Sequence, residues 1–390
     1  MILYIIGSLI FIILCIIAYI KIRFRFWSIQ PVFHYYDFYY WFVDAGIIQP
    51  ELPIKNKYFQ PLATTIDFSE VSETQIADFI NLIQNNYIHN KEYKDNKFLP
   101  TTENIGPYFT SHNSPCYWTM YSQCKDNPEL TGAITSRPLH VSIHEKKKEN
   151  NISMDVYYID YLCVDINNRK KGIAPQMIQT HEYSQRHLNK SIQVCLFKRE
   201  DELTGIIPLC AYDTYGFKNT KWQKPQDLPA QLVVLKCDSQ NLYYLLDFIK
   251  INIQIFKIHI MPDPGNLLEL IKTNNIIIYL IMQDGNIKCA YFFRKTCTFA
   301  AKKEEVFSCI ASINVSAPEN VFIHGFKIAI YKIMSEFNEC KYVLIEKISH
   351  NHIIIKDLCI KTIPIISKTA YFFYNFAFHT FESSDAFILN

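Results

Sequence analysis

Residues 161–179 read YLCVDINNRKKGIAPQMIQ. An apolar run ends at Val164, a polar turn follows, and a pattern with helical spacing begins near Ala174. Pro175 lies in the first turn of that helix, where the N–H it lacks would find no intrahelical partner. A strand, a basic turn and an open helix N-terminus together make an anion site. Backbone N–H groups at Lys170, Lys171, Gly172, Ile173 and Ala174 can cradle a pyrophosphate, aided by the helix dipole and by the Arg169, Lys170 and Lys171 side chains. Gly172 permits close backbone approach.

The same grammar extends in both directions. Residues 130–143 and 154–164 read as two strands of a hairpin around the charged turn 145–149, and residues 76–86 have helical spacing. Residues 174–188 form an amphipathic helix pattern, followed by a strand at 192–196. The segment 220–229, TKWQKPQDLP, holds two prolines and several polar residues and marks a boundary. Beyond it, 242–249 reads as a helix. Residues 276–282 and 287–293 are strands flanking Asp284-Gly285, a hairpin turn signal. Residues 302–305, KKEE, read as a second solvated turn, 321–337 as a helix and 342–345 as a strand. The expectation is an α/β chain of two similar units, 23–228 and 229–390.

Composition narrows the function. The chain has 390 residues, 49% hydrophobic, which is ample for a packed core. A formal charge of +2 argues against a nucleic-acid partner. The densest apolar block is 2–20, ILYIIGSLIFIILCIIAYI, about the length that crosses a bilayer. No basic region precedes it and no small-residue cleavage site follows, which favours a retained span over a signal peptide. A buried core helix is the alternative, but such helices usually keep a polar face. Lys21, Arg23 and Arg25 come next, so residues 1–22 are expected to anchor the chain in a lipid bilayer once, with the rest on the cytoplasmic side. The twelve cysteines are scattered and read as buried thiols. His181, Glu182 and His187 do not share a helix face, so no metal is expected there. Cys163 and Cys195 lack a neighbouring base for a covalent route.

Arg169-x-x-Gly172-x-Ala174 after a strand resembles the acyl-CoA loop of the GNAT superfamily of N-acetyltransferases. Residues 211–217, AYDTYGF, resemble the helix of that superfamily that ends in Tyr-x-x-x-Gly-Phe. Further motifs are similar to those of the N-myristoyltransferase family. They are FRFWSIQPV at 24–32, Asn86-Tyr87, and Tyr161-Leu162-Cys163-Val164 followed by Arg169-x-Lys171-x-x-Ala174-Pro175. AYFFYNF at 370–376 and a chain closing on AFILN at 386–390 complete the set. The resemblance runs from about Phe24 to Asn390 and implies tandem GNAT-like acyltransferase units. It implies acyl-CoA, most closely myristoyl-CoA, as co-substrate and an N-terminal glycine peptide or protein as acceptor. Phe26, Trp27 and Gln30 would pack on the CoA, although Trp27 also suits an interfacial membrane anchor. The backbone of Tyr161 and Leu162 would form the oxyanion hole, and residues 169–174 would hold the pyrophosphate. The main-chain carboxylate of Asn390 would serve as base. Asn86, Tyr87, Tyr212, Tyr371 and Asn375 fall on the substrate side, with Tyr212 a candidate proton donor to the leaving thiolate.

The chain also departs from that family. Residues 363–367, IPIIS, replace a Gly-x-Gly-Asp-Gly stretch, and Phe197-Lys198-Arg199 replaces Thr-Ala-Gly. Ser312-Ile313-Asn314 lacks the aromatics of a Ser-Phe-Tyr segment, and residues 88–92 are more basic than the expected acidic loop. The donor half is therefore kept better than the peptide half. A membrane-anchored N-acyltransferase is the leading expectation. A divergent acetyltransferase-like enzyme with another acceptor and a catalytically inactive membrane scaffold remain the alternatives.

Overall fold

The computed structural model describes every residue except 1, 38, 40, 41, 43–45, 88–95, 124–128, 145–150, 201–204, 219–221, 301–303 and 362–363. Helix α1 (Ile2–Arg23) stands apart from the body: Tyr4–Arg23 is long and apolar enough to cross a membrane, and none of it is buried. Its turn carries on past Arg23. Phe24 N–H donates to Ile20 O at 2.9 Å and Ser28 N–H to Phe24 O at 2.8 Å, leading into a short 3-10 turn, Trp27–Ile29.

The body is an α/β structure. Its strands are β1 (Ala63–Asp67), β2 (Tyr117–Ser122), β3 (Leu130–Ile143), β4 (Ile152–Val164), β5 (Val194–Glu200), β6 (Cys210–Lys218) and β7 (Leu232–Lys236). They continue as β8 (Ile258–Met261), β9 (Ile276–Gln283), β10 (Asn286–Phe299), β11 (Glu305–Asn314), β12 (Cys340–Glu346), β13 (Ile365–Tyr374) and β14 (Ala386–Ile388). The main helices are α2 (Glu73–Asn86), α3 (Ile173–Leu188), α4 (Leu242–Asn252), α5 (Pro264–Lys272), α6 (Glu319–Glu336) and α7 (Asn351–Lys361). One sheet runs in the order β14-β8-β3-β4-β5-β13-β6-β12-β11-β10-β9-β7, with β2 on the free part of β3 and β1 outside it.

Each half repeats one motif: an antiparallel hairpin, a helix, then a strand parallel to the second hairpin strand. The first is β3-β4-α3-β5 and the second β10-β11-α6-β12. In both, the hairpin strand bulges where the parallel pairing stops. Tyr161 and Leu162 oppose Ile134 alone, and Ile310 is extra between the partners of Phe292 and Phe293. A bulge breaks the ladder and frees backbone groups for other use. The halves then exchange strands. β13, from the end of the chain, lies between β5 and β6, and β6 pairs with β12. The sheet thus runs on across the irregular segment 222–230, and one core cluster gathers residues from Phe79 to Leu389.

The elements expected from hydropathy spacing form near their expected places, while β1, β2, β8, β11, β13, β14, α5 and α7 were not read from the sequence. Asp284 and Gly285 both take positive φ (50° and 77°) in a two-residue turn between Gln283 and Asn286, as a hairpin between right-twisted strands requires. The exception is 211–217. It is not the end of a helix but the middle of strand β6, with both edges paired. Its residues alternate, with Cys210, Tyr212 and Thr214 buried, and alternation with β-branched and aromatic residues favours a strand. Glu305 is also not a solvated turn residue; it opens β11, buried, with Lys295 Nζ at 3.8 Å. The turn 145–149, the loop 88–92 and residues 220, 221, 302, 303 and 363 lie outside the described residues. The described cysteines are buried except Cys15 and Cys359.

Candidate active site

The turn between β4 and α3 is braced from beneath. Asp165 Oδ1 accepts the Asn167 N–H at 2.9 Å, an Asx turn that reverses the chain. Asn86, at the end of α2, accepts the Ile166 N–H through Oδ1 at 2.9 Å and donates through Nδ2 to Leu82 O at 2.9 Å. Arg169 Nε donates to Val164 O at 3.2 Å, and its Nη2 donates to the Asn86 carbonyl. Asn86, buried, and Arg169, which stays exposed, both spend side-chain hydrogen bonds on holding the turn. Above them Lys170 and Gly172 take positive φ (64° and 80°). The amides of residues 170–174 have no hydrogen-bond partner among the described residues. Successive free amides around left-handed residues form an anion-binding nest, here continuous with the N-terminus of α3. Lys170 and Lys171 are exposed beside it, Lys171 Nζ bonding Asn168 Oδ1 at 2.7 Å, while Ile173 is buried and Ala174 half-buried.

The bulge at Tyr161 and Leu162 lies just upstream. Tyr161 has φ 47°, and its amide donates to Asp160 Oδ1 at 2.9 Å. Its ring sits among Tyr87 (5.6 Å between centroids), Phe79 (5.8 Å) and Phe98 (6.3 Å). Burial, with the Asp160 charge adding to it, pushes the Tyr161 phenol well above its ordinary range, while Tyr87 keeps 37% of its surface exposed. Tyr87 is thus an aromatic wall behind the bulge. Leu162 packs half-buried against the cluster of Val164, Ile173 and Met177.

The segment after α1 binds into the same region. Trp27 stacks on Phe197 of β5 at 5.8 Å and 17°, and the buried Phe26 meets Trp27 and Tyr58 edge-on at 5.1 and 5.2 Å. Gln30 links α3 to β13: its Nε2 donates to Gln179 Oε1 at 3.3 Å and its Oε1 accepts from Tyr374 Oη at 2.6 Å. Asn375 is a clasp rather than an open contact. Its N–H donates to Pro31 O at 2.6 Å, its Oδ1 accepts Gln49 N–H at 2.7 Å, and its Nδ2 donates to Gln49 O and Gln193 O at 3.0 Å each.

Where the halves meet lies a buried polar cluster, in which Asn390, Tyr371 and Tyr212 were expected from the sequence and Glu346 and Arg294 were not. Asn390 is 2% exposed; its Oδ1 accepts from Tyr371 Oη at 3.2 Å, and Arg294 Nη1 donates to its main-chain O at 3.5 Å. Glu346 sits beside them, with Lys198 Nζ at 2.9 Å and Arg294 Nη2 at 3.6 Å. Burial alone would raise the Glu346 carboxyl, but Lys198, Arg294 and the Tyr212 hydroxyl bond hold it below its ordinary value. The Tyr212 hydroxyl donates a hydrogen bond to Glu346 Oε2, and burial together with that carboxylate drives the phenol well above its usual range. Tyr212 is therefore committed to a carboxylate, which suits it poorly as a proton donor to a thiolate. The one local signal for this cluster was a single charge at the end of each apolar run, Arg294 after AYFF and Glu346 after YVLI.

Comparison with known proteins follows the same lines. The family model for the N-terminal domain of myristoyl-CoA:protein N-myristoyltransferase matches residues 52–210. A protein of Amsacta moorei entomopoxvirus, named as a glycylpeptide N-tetradecanoyltransferase, is 20% identical over 292 residues, 72% of this chain and 88% of that one. The crystal structure of Saccharomyces cerevisiae N-myristoyltransferase with bound myristoyl-CoA is similar over 92% of this chain and 94% of that one, with TM-score 0.72 and 14% identity. A structure of the same yeast enzyme with myristoyl-CoA and inhibitors gives TM-score 0.70 and 14% identity, covering 92% and 91%. At such identity the structural likeness speaks for the fold; the family model and the sequence relative speak for descent. Residues 52–210 match the N-myristoyltransferase family of N-acyltransferases, and 92% of the chain shares the fold of its yeast member.

Proposed function

We propose that this chain moves a long acyl group, most closely myristoyl, from acyl-CoA to the N-terminal glycine amine of a peptide or protein. The observation that carries the reading is the bulge at Tyr161 and Leu162 immediately before the unpartnered amides of residues 170–174. In this reading the nest holds the pyrophosphate and the thioester carbonyl lies against the bulge. The Tyr161 and Leu162 amides stabilise the tetrahedral oxyanion, each such donor being worth about 2.7–4 kcal/mol. The Tyr161 amide must first leave Asp160 Oδ1. The glycine ammonium gives one proton to the main-chain carboxylate of Asn390, which Arg294 orients; the amine attacks the thioester, and the tetrahedral intermediate breaks its C–S bond, the departing CoA thiolate taking the second amine proton as the amide forms. Residues 23–228 form the donor side, residues 229–390 the peptide side, and α1 fixes the chain in a bilayer with the body on the cytoplasmic face. A second reading, an acyltransferase fold kept without turnover, is favoured by the Asp160 bond that occupies the Tyr161 amide. The full chain in lipid vesicles, given labelled myristoyl-CoA and Gly-starting peptides, separates the two. Labelled peptide is expected; bound donor without transfer supports the second reading and overturns the first.

A further inference from the structure

We infer that the loop at residues 54–58 is a second membrane contact, which seats the α3–β5 face on an anionic leaflet so that the acyl donor is taken from the lipid phase. The inference rests on the anchoring and donor readings proposed above.

The first ground is the lack of slack between α1 and the body. Helical bonds continue to Ser28, Phe26 is buried, and Trp27 stacks on Phe197. From Arg23 to Phe26 is three residues, at most about 11 Å even if extended. A body tied this closely cannot swing away from the surface that α1 leaves. Phe197 is also the last β5 residue paired with β4, so the end of α1 and the point where the parallel strands part are neighbours.

The second ground is what lies beside that junction. The Tyr58 ring packs on Phe26 at 5.2 Å, and Ile54, four residues earlier, is 79% exposed. Exposed Lys55 and Lys57 follow it, with their ammonium groups 4.5 Å from the Phe59 ring and 5.2 Å from the Tyr58 ring. Ile29, between α1 and the body in sequence, is also exposed. With Lys21, Arg23 and Arg25, the junction carries five cations, and Glu51 is the single acid in residues 46–62. Exposed isoleucine set among lysines at the end of a spanning helix matches the interfacial zone of a bilayer, and the cations match its anionic headgroups.

The third ground is that this loop is held firmly to the donor helix. Asn56 Nδ2 donates to Gln179 Oε1 at 2.9 Å, Gln60 N–H to Thr180 Oγ1 at 2.8 Å, and Gln60 Nε2 to Gln176 Oε1 at 3.1 Å. A loop seated on the leaflet therefore holds α3, whose N-terminus is the nest, at a set distance from it. A long-chain acyl-CoA keeps its tail in the bilayer and its headgroup in water, so this placement meets the donor where it resides.

The test uses the full chain reconstituted in phosphatidylcholine vesicles with or without phosphatidylserine. Ile54→Cys in a Cys15→Ser/Cys359→Ser background carries an environment-sensitive fluorophore, and the background alone gives the blank. Blue-shifted emission, quenched by headgroup-level spin-labelled lipid and more so with phosphatidylserine, is the expected result. Ile54→Asn/Lys55→Gln/Lys57→Gln is expected to lower transfer from vesicle-dissolved myristoyl-CoA by about fivefold or more, with CoA affinity in detergent unchanged. A water-like, unquenched probe on chain that co-floats with the vesicles overturns the inference. Failure to co-float overturns the anchoring as well. Absence of transfer by the wild type overturns the acyl-transfer reading, while the probe still decides the contact.

Discussion

Replacing Lys198 with Met tests the buried cluster at the centre of the sheet. Lys198 Nζ lies 2.9 Å from Glu346, with the two side chains only 12% and 5% exposed. Removing one partner of a buried pair costs about 3–5 kcal/mol, because the charge left behind is poorly compensated. Arg294 at 3.6 Å and the Tyr212 hydroxyl remain on Glu346, so the expected loss is about 2–4 kcal/mol. Its pH dependence is diagnostic. In the wild type the folded carboxyl titrates below its ordinary value, so its stabilisation is present above the unfolded pKa and fades as pH falls through the folded one. Without Lys198, burial raises the folded value, and protonation relieves the cost. The gap between wild type and variant should therefore be full near pH 7 and close as the pH drops through about 4. Urea unfolding at both pH values measures it. Lys198→Met/Glu346→Gln removes both charges and should recover much of the loss. A loss below about 0.5 kcal/mol at pH 7, or an equal loss at low pH, would refute the assignment of Glu346 as a charged, Lys198-compensated group.

Three shorter predictions follow from other parts of the fold. Gly325→Ala in α6 would place a Cβ 2.6 Å from Tyr291 Oη and 2.9 Å from Ile281 Cδ1, so thermal unfolding should show a loss of about 1–3 kcal/mol. Gly172→Ala meets nothing within 4 Å but forces a side chain onto φ 80°, at about 1–2 kcal/mol; calorimetry should show weaker CoA binding as the nest shifts, and unchanged affinity would argue against the nest as the pyrophosphate site. Burial raises Glu182 to about 7, against the pull of Arg186. Its folded pKa exceeds the unfolded one, so wild-type stability should fall as pH rises from about 5 to 7, and Glu182→Gln should flatten that slope in urea unfolding.

The legible parts of this molecule are those whose cause is local. Near-continuous burial of β3 is readable in LTGAITSRPLHVSI, the Asp284-Gly285 turn in its dipeptide, and the nest in a basic turn that ends on Gly172 before a helix. Strand β6 shows the opposite risk. Its alternation favours a strand, yet the resemblance of AYDTYGF to a helix-ending signature suggested otherwise. Pairing on both edges, with β12 and β13, decides the matter, and both partners lie more than a hundred residues downstream.

What the sequence by itself determined is the apolar helix α1, the hairpin, helix and strand of the first half, and a basic turn that opens a helix; in the second half strand β11 went unread. These depend on hydropathy period, turn chemistry and the orphan amides of a helix start, all set by residues within a few positions of one another. Tertiary structure alone decided that Glu346 faces Lys198 and Tyr212, 148 and 134 residues away, and that Gln30 meets Tyr374, 344 residues away. It also turned Asn375 into a clasp and Asn86 into a brace. The physical reason is the exchange of strands between the halves. A buried polar group must find a partner wherever the sheet brings one, and spacing along the chain carries no record of that meeting.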